Sequence, residues 1–365
     1  NAVLKGRKKI NAFGVSGYFG AINPEHELKV RTWIEDLTDL PGTCGHELST
    51  RLDAIRRATT VALNARLIPI IQDLIFNVRA TLKALSIPAP LMVVKGDGSL
   101  VQADWALKRP IETVLSGPAA SALGALKLTG GKNTWAVDMG GTTTDIVELI
   151  EGAPSLNPNG ACIGGWRTMV EAVDVHTIGL GGDSHVRVSS ENQLVIGPNR
   201  VIPLCKLASE YPDKVMGPLR ALGNSDKSDL DAIQFLISGK TDPSKLSQND
   251  TTLLAQLNDG PQPLTTFTGP AAHADPWISK RIQKLAESGL IQYAGFTPTD
   301  ALHVLKYFQE WDTEASLLAG KLLSTHLGLP TELFCKQVVK TVSRNAAAAI
   351  ASKAITDEMG KPDWK

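Results

Sequence analysis

A short glycine and threonine segment, residues 138–145, sets the strongest limit on what this chain can fold into. It reads DMGGTTTD and lies between two apolar runs, TWAV at 134–137 and IVELI at 146–150. Glycine adopts the positive φ angles that a tight turn between antiparallel strands needs. The pattern therefore predicts one β-hairpin with Asp138 and Asp145 at its opposite ends.

The same segment has the composition of a phosphate-binding loop. Glycine lets backbone N–H groups approach phosphate oxygens, and threonine hydroxyls add donors beside them. Asp138 would hold the water shell of Mg²⁺, which keeps several waters and takes few carboxylates, and Asp145 would orient the loop or the attacking water. The alternative is a glycine hairpin without a chemical role. The residues predicted to bind the nucleotide here are Gly140, Gly141, Thr142, Thr143 and Thr144.

Length, charge and cysteine spacing argue against several classes of protein. The 365 residues are 43% hydrophobic, enough for two or three domains, and 37 basic residues balance 37 acidic ones. This balance does not favour a nucleic acid or a membrane surface as partner. The four cysteines form no CxxC pair, which argues against a zinc knuckle or a disulfide framework. With no apolar run of about 18 residues and no signal peptide, we expect a cytoplasmic protein.

The chain begins at Asn1 rather than methionine and stops soon after a long helical pattern. Both observations lead us to expect an internal part of a longer protein.

Helical and strand patterns alternate along the rest of the chain. Apolar spacing predicts helices over residues 25–37 and about 53–85, where Pro69 is expected to kink or divide the second helix. Strands are predicted over 91–94 and 111–115, besides the two hairpin runs, and a helix over 119–128. Helices mixed with strands and glycine turns predict the α/β class.

The second half is expected to contain an insertion. After Val201 the sequence is polar and loop-rich as far as Pro263, and an amphipathic helix follows over 277–291. Together with an apolar run at 251–257, this helix has the outline of a winged-helix module. Further helices are predicted from Ala301, Thr313 and Thr331.

Several motifs resemble one known family, the hydantoinase A and 5-oxoprolinase family of the actin-like ATPase superfamily. DMGGTTTDI resembles the second phosphate-binding hairpin of that superfamily, and LSGPAA at 115–120 is similar to the helix start that precedes this hairpin in the family. The other matches, in the family's order, are NPEHEL at 23–28, HEL at 46–48, DVHTIGLGGDS at 174–184 and GFTPTDALHVL at 295–305.

The resemblance implies an actin-like ATPase fold, with a ribonuclease H-like mixed sheet and flanking helices. The segments it suggests are the end of a preceding domain over 1–22, a helical connection over 23–88, an ATPase subdomain with the phosphate hairpin over 89–201, an insertion with the winged-helix-like module over 202–293, and C-terminal helices of the ATPase subdomain over 294–365.

The resemblance also implies the chemistry. ATP with Mg²⁺ would phosphorylate the amide oxygen of a cyclic amide of the hydantoin or 5-oxoproline type, making the ring carbon a better electrophile for water. A hydantoinase B-type subunit or domain would complete the reaction, in an oligomer without membrane or nucleic acid. Acetone carboxylase relatives use the same kind of module for carboxylation.

The second glycine segment, with Gly179, Gly181 and Gly182, is interpreted as a loop of the nucleotide cleft, although a packing turn is the alternative. Asp183 replaces the family's glycine and adds a negative charge there. His176 and His185, with nearby aspartates, are conceivable metal ligands, but their spacing fits no standard zinc pattern.

The sequence contains one DxGGT motif and lacks the family's first phosphate motif and its adenosine segment. This chain alone is therefore expected to bind nucleotide weakly and to hydrolyse ATP slowly or not at all. Two alternative functions remain open: an actin-like ATPase that activates or reactivates a partner enzyme, and a non-catalytic module whose winged-helix-like part binds DNA or protein.

Overall fold

The computed structural model describes residues 10–189, 191–223, 229–239, 248–269 and 275–359. Contacts divide the chain into two compact units. The first unit comprises Asn1–Asp138 and Asp145–His176, and the second comprises Met139–Thr144 and Thr177–Lys365. Helices and strands are mixed in both units, which confirms the α/β class.

The first unit begins with a short parallel strand pair. Strand β1 (Phe13–Val15) pairs with β2 (Gly42–Cys44), and helix α1 (Glu25–Thr38) connects them as predicted. Helix α2 (Gly45–Leu48) follows β2 directly.

Helix α3 (Ala54–Ala84) is the longest helix, with 31 residues, and Asp53 caps it by accepting a hydrogen bond from the backbone N–H of Arg56. It continues through Pro69, so the expectation that proline divides it is wrong. By length and composition this helix could cross a membrane, contrary to the expectation from sequence. That is weak evidence, because the core helix of a soluble protein has the same properties and α3 buries polar Arg57 and Asn64.

Short elements connect α3 to the main sheet. Strands β3 (Met92–Val94) and β4 (Leu100–Gln102) pair antiparallel, and helices α4 (Ala103–Lys108) and α5 (Ser116–Thr129) follow. The strand predicted over 111–115 is wrong. A 3₁₀ helix occupies Pro110–Thr113 instead, because Pro110 fixes its own φ near the helical value and offers no N–H to a strand partner.

The main sheet contains the predicted hairpin. Strands β5 (Thr134–Met139) and β6 (Thr144–Ile150) are neighbours in the order β10-β6-β5, and β7 (Ala153–Pro154) pairs antiparallel with the end of β6. Strand β10 is Val175–Ile178. In the first unit, Val147 and Leu149 pack with buried alanines of α5. The hairpin prediction is confirmed, with both aspartates on strands. A separate two-stranded pair consists of β8 (Cys162–Ile163) and β9 (Trp166–Arg167).

The second unit contains an antiparallel ribbon and a four-stranded sheet. The ribbon pairs β11 (Ser184–Val188) with β12 (Leu194–Arg200). The sheet has the order β13-β16-β14-β15. Its strands are β13 (Ile202–Pro203), β14 (Phe235–Ser238), β15 (Gln262–Pro263) and β16 (Ile291–Gly295).

The segment after Val201 is more ordered than the polar composition suggested. Helices α6 (Leu204–Glu210) and α7 (Pro212–Gly223) bury Leu204, Leu207 and Leu219 in the largest core of the unit. The loop-rich expectation was wrong here, because these apolar residues recur at helical spacing and their burial outweighs the polar composition.

The winged-helix module is not confirmed. Helices α8 (Gln248–Ala255), α9 (Thr265–Thr268) and α10 (Pro276–Glu287) are present. The strand after them, β16, pairs with both β13 and β14 and places Ala294 in the main core. Parts of this region, at 240–247 and 270–274, lie outside the described residues.

Three helices close the described chain: α11 (Pro298–Val304), α12 (Thr313–His326) and α13 (Thr331–Met359). The predicted proline helix start is confirmed, since Thr297 and Asp300 form a capping box around Pro298. The buried Asp300 carboxylate also accepts hydrogen bonds from the backbone N–H of Leu204 and Cys205, which ties α11 to α6.

Candidate functional site

The hairpin tip presents free backbone amides. Gly140 N–H donates to the carbonyl oxygen of Thr143 over 2.9 Å, closing the turn. The N–H groups of Gly141, Thr142 and Thr143 donate to no residue that the structure describes. Consecutive free amides in a turn are the donors that proteins use for phosphate oxygens. The tip therefore has the backbone chemistry predicted for it.

The three threonines of the tip differ in what their hydroxyls do. Thr144 is fully buried, and its Oγ1 donates to the carbonyl oxygen of Leu180 over 2.7 Å. Thr142 is exposed and Thr143 half-buried, and within the described ranges their hydroxyls have no hydrogen-bond partner. The side-chain donors left for a ligand are thus those of Thr142 and Thr143, while Thr144 fastens the hairpin to the second glycine loop.

The second glycine loop lies directly against this tip. Gly182 N–H donates to the Gly140 carbonyl oxygen over 3.0 Å, and Asp183 N–H donates to that of Gly141 over 2.8 Å. A Cβ atom added to Gly181 would lie 2.5 Å from both of those oxygens. The predicted glycines of the two segments therefore meet in the second unit, and the approach needs glycine at position 181.

The second loop is fixed from three sides. Ser184 Oγ accepts a hydrogen bond from Gly181 N–H over 2.9 Å. Thr299, in the first turn of α11, donates to the Gly182 carbonyl oxygen through its N–H over 3.0 Å and its Oγ1 over 2.8 Å. A Cβ atom on Gly179 would lie 3.3 Å from the Cβ of Pro198. This loop is part of a packed scaffold rather than a free turn.

Asp183 stands where the family has glycine, and its negative charge is paired with Arg200. Arg200 at the end of β12 donates from Nε and Nη2 to Asp183 Oδ2, over 3.1 and 3.0 Å. The same oxygen lies 2.6 Å from where a Cβ atom of Gly141 would stand. Arg200 thus offsets a negative charge that would otherwise repel an anion at the tip. Sequence reasoning missed Arg200.

The two aspartates that flank the tip in the chain lie together in the first unit. Ser121 Oγ on α5 donates to Asp138 Oδ2 over 2.6 Å. Asp138, Asp145 and Ser121 line one cavity of about 30 Å³, room for a water molecule or a small ion. This all-oxygen donor set is the type that Mg²⁺ prefers. Nothing in the sequence indicated Ser121, since it is 17 residues from Asp138.

The described residues do not assemble the metal site that was conceivable at His176 and His185. In the described part of the chain, the one group of three or more potential His, Cys, Asp or Glu ligands within 4.8 Å of one another is Glu27, Cys44 and His46. His176 and His185 belong to no such group.

The Glu27 carboxylate acts as a structural anchor. Oε1 accepts from Gly17 N–H over 2.7 Å, and Oε2 accepts from the N–H and ring Nδ1 of His46, over 2.9 and 2.7 Å. Burial raises the pKa of Glu27, but these hydrogen bonds outweigh burial and leave it lowered. Burial, followed by the charge of Glu47, raises the pKa of the Cys44 thiol to about 12. Both Glu27 oxygens, the Cys44 thiol and His46 Nδ1 therefore already have hydrogen-bond partners.

Comparisons with known proteins find several similar sequences. Residues 57–206 match the family model described as Hydantoinase/oxoprolinase, a range that includes the hairpin and the second glycine loop. Caprolactamase subunit alpha of Pseudomonas jessenii is 26% identical over 195 residues, which cover 52% of this chain and 28% of that protein. The 5-oxoprolinase of Dictyostelium discoideum is 24% identical over 300 residues, 70% of this chain and 22% of that one. The chain thus spans about a quarter of these relatives.

Two solved structures share the fold. A nucleotide-free acetone carboxylase structure has a TM-score of 0.55 at 15% identity and covers 92% of this chain and 38% of that one. The ATP-dependent caprolactamase of Pseudomonas jessenii has a TM-score of 0.55 at 18% identity, with 96% and 41% covered. These likenesses show that the chain shares the fold of the matching parts of both structures. Residues 57–206, which contain both glycine segments, are thus similar to the hydantoinase/oxoprolinase family.

Proposed function

We propose that this chain binds the phosphate groups of ATP at the hairpin tip, as part of an enzyme that couples ATP to hydrolysis of a cyclic amide of the hydantoin or 5-oxoproline type. The observation that carries the proposal is the row of free amides at Gly141, Thr142 and Thr143. The second glycine loop supports it by holding the tip in place. Amides that need no reorganisation stabilise developing negative charge most effectively.

Mg²⁺ fits the aspartates that flank the tip in the chain. Asp138 and Asp145 supply carboxylates and Ser121 a hydroxyl around a small cavity. In this proposal Asp138 holds the water shell of the ion, and Asp145 orients the loop or the attacking water.

ATP, when bound, supplies the phosphoryl group that makes the amide carbon of the ring more electrophilic. This chain's own part is to bind and orient phosphate through the amides of the tip, with Thr142 and Thr143 adding hydroxyl donors. Positioning and charge stabilisation account for most catalysis of phosphoryl transfer. A single hairpin supplies only part of the necessary donors, so the chain alone is expected to turn over ATP slowly or not at all.

A partner subunit is part of the proposal. Two relatives are themselves subunits, the caprolactamase alpha subunit and the acetophenone carboxylase gamma subunit of Aromatoleum aromaticum. We propose a hydantoinase B-type partner in a cytoplasmic oligomer. The carboxylase relatives favour a second candidate function, ATP-dependent carboxylation of a ketone.

Two measurements on the complete enzyme separate these functions. ATP turnover stimulated by hydantoin, 5-oxoproline or caprolactam supports amide hydrolysis. Turnover that requires a ketone and bicarbonate instead selects carboxylation and contradicts our first choice.

A matched pair of variants tests the site itself. Asp138→Asn keeps shape but removes charge, so we expect ATP turnover to fall by about a hundredfold or more. Asp174→Asn is the control, because Asp174 accepts a hydrogen bond from Asn157 over 3.0 Å elsewhere in the first unit, and it should cost much less. Thermal melts confirm that both variants fold. If Asp138→Asn turns over ATP as fast as the unchanged enzyme, Asp138 has no role in ATP turnover and the proposed site is wrong.

A further inference from the structure

A cavity of about 240 Å³ opens in the second unit, between the β11–β12 ribbon and the 3₁₀ helix Leu230–Ile233. Its apolar wall includes Val188 of β11 and Leu323 of α12. Its polar lining is His185, Arg187, Ser189, Asp231 and Gln234. None of these residues belongs to the glycine loops, so the phosphate-binding proposal leaves the cavity unexplained.

One side of the cavity carries the Asp231 carboxyl group, which has no ion-pair partner among the described residues. Asp231 is half-buried, and its Oδ1 accepts one hydrogen bond from Gln234 Nε2 over 2.7 Å. No described lysine, arginine or histidine lies within 4.0 Å of its carboxylate. Burial, with Asp229 nearby, raises the pKa of Asp231. A cation placed in the cavity would relieve this cost.

Another part of the lining carries the guanidinium group of Arg187, which has no described carboxylate as a partner. Arg187 lies on β11 with an exposed side chain, and it forms no ion pair with any residue that the structure describes. An anion at the cavity would find a planar donor there, suited to binding a carboxylate with two hydrogen bonds.

A buried imidazole completes the lining. His185 is 7% exposed, and its ring has no hydrogen-bond partner among the residues described. Gly295 makes room for it, because a Cβ atom there would lie 2.9 Å from Nε2. Burial, and then the charge of Arg187, lowers the pKa of His185 to about 4. The neutral ring can donate one hydrogen bond and accept another, and leaving it without a partner costs free energy.

We propose that this cavity binds a zwitterionic amino acid, with its carboxylate at Arg187, its ammonium group at Asp231 and its carbon chain along the apolar wall. A simple anion would leave Asp231 uncompensated, and a simple cation would be repelled by Arg187. The volume lies just below the range of about 300–1,000 Å³ that holds drug-sized ligands. A molecule of amino-acid size therefore fits best.

The proposed hydrolysis would itself produce such an amino acid. This one step of the inference rests on the proposed function. In hydrolysis of a lactam such as 5-oxoproline or caprolactam, the water oxygen bonds to the carbonyl carbon, the carbon–nitrogen bond breaks and the nitrogen takes up both protons of the water. The ring opens to a chain with a carboxylate at one end and an ammonium group at the other. A product of that reaction has the charges that the cavity is arranged to receive.

Isothermal titration calorimetry on the purified chain tests the site without ATP. The probes are leucine and glutamate as α-amino acids, 6-aminohexanoate as a ring-opened amide, and acetate and butylammonium as single-charge analogues. We expect at least one zwitterion to bind and the single-charge analogues to bind far more weakly. Arg187→Gln and Asp231→Asn should each weaken binding by about tenfold to a hundredfold. Arg344→Gln, at an exposed position of α13, is the matched control and should have no effect.

Each outcome decides the point. No binding of any zwitterion at millimolar concentration, or equal binding of acetate, overturns the inference. Undiminished binding to both cavity variants also overturns it. Binding of leucine alone, without glutamate or 6-aminohexanoate, supports the cavity but removes the link to hydrolysis. Because Asp138 takes no part in this measurement, a failure here is distinct from a failure of the proposed function.

Discussion

The backbone N–H of Asp183 donates to the carbonyl oxygen of Gly141 over 2.8 Å, joining two glycine segments that are forty residues apart in the chain. Because Gly182 donates in the same way to Gly140, the carbonyl groups of the hairpin tip are occupied by the second loop. The amides of the tip are left for a ligand. The hairpin tip is thereby held from its carbonyl side.

Gly181→Ala should disturb this approach. Its Cβ atom would lie 2.5 Å from the carbonyl oxygens of Gly140 and Gly141, so we expect a loss of about 1–3 kcal/mol in the free energy of unfolding. Gly124→Ala is the control, since open space surrounds Gly124 inside α5 and alanine should stabilise that helix by about 0.5–1 kcal/mol. Urea unfolding measures both. Equal stability of the two variants would contradict the close approach.

Arg200→Gln should weaken nucleotide binding by the complete enzyme. It leaves the charge of Asp183 uncompensated beside the tip. Because the Arg200 side chain is 60% exposed and solvent screens such pairs, the effect should be roughly twofold to fivefold in Kd. Adding Asp183→Asn should restore affinity. Arg220→Gln breaks a similarly exposed pair with Glu314 and should change nothing. Calorimetric titration with ATP measures the Kd of each variant. If the double variant does not regain affinity, the charge of Asp183 is not the reason for the loss.

Stability should fall in acid because of His185. Its pKa is about 4 in the folded protein, lowered from 6.5 by burial and by Arg187. Below about pH 6.5 the unfolded chain takes up a proton that the folded chain does not, so the free energy of unfolding decreases by up to about 3 kcal/mol as the pH falls to about 4. His185→Gln should remove that part of the pH dependence. His326→Gln, exposed on α12, should keep it. Denaturant unfolding between pH 7 and 4.5 measures the difference.

Glu27→Gln should destabilise the first unit. The carboxylate accepts three hydrogen bonds, from Gly17 and from the N–H and ring of His46, and an amide nitrogen can accept none of them. We expect a loss of about 1–3 kcal/mol in the free energy of unfolding. Glu25→Gln, two residues away and exposed on α1, should have little effect. Similar melting curves for the two variants would rule out an anchoring role for Glu27.

Local sequence patterns were sufficient to predict those parts of the fold that depend on residues close together in the chain. The hairpin followed from glycines between apolar runs. The start of α11 followed from Thr297, Pro298 and Asp300, since a capping box needs only four adjacent residues. The two glycine segments do lie against each other, although the resemblance rather than their spacing had joined them, and their binding of nucleotide stays a prediction.

The features that sequence did not reveal depend on distant partners. Strand β16 could not be assigned to the centre of a sheet, because its partners β13 and β14 lie elsewhere in the chain. The roles of Ser121 and Arg200 arise from contacts across many residues, and Thr144 was assigned to the ligand although its hydroxyl bonds Leu180. Nothing local distinguishes a hydroxyl used for packing from one left for a ligand.

Leu180, at the centre of the second glycine loop, packs against Val342 and Ala346 of α13. During synthesis a ribosome must therefore deliver more than a hundred and fifty further residues before the loop meets the surface that holds it. Contacts so distant in sequence form late, since closing the intervening chain costs entropy before any contact is gained. The nascent chain would form its hairpin early and would fix the second glycine loop against α13 last.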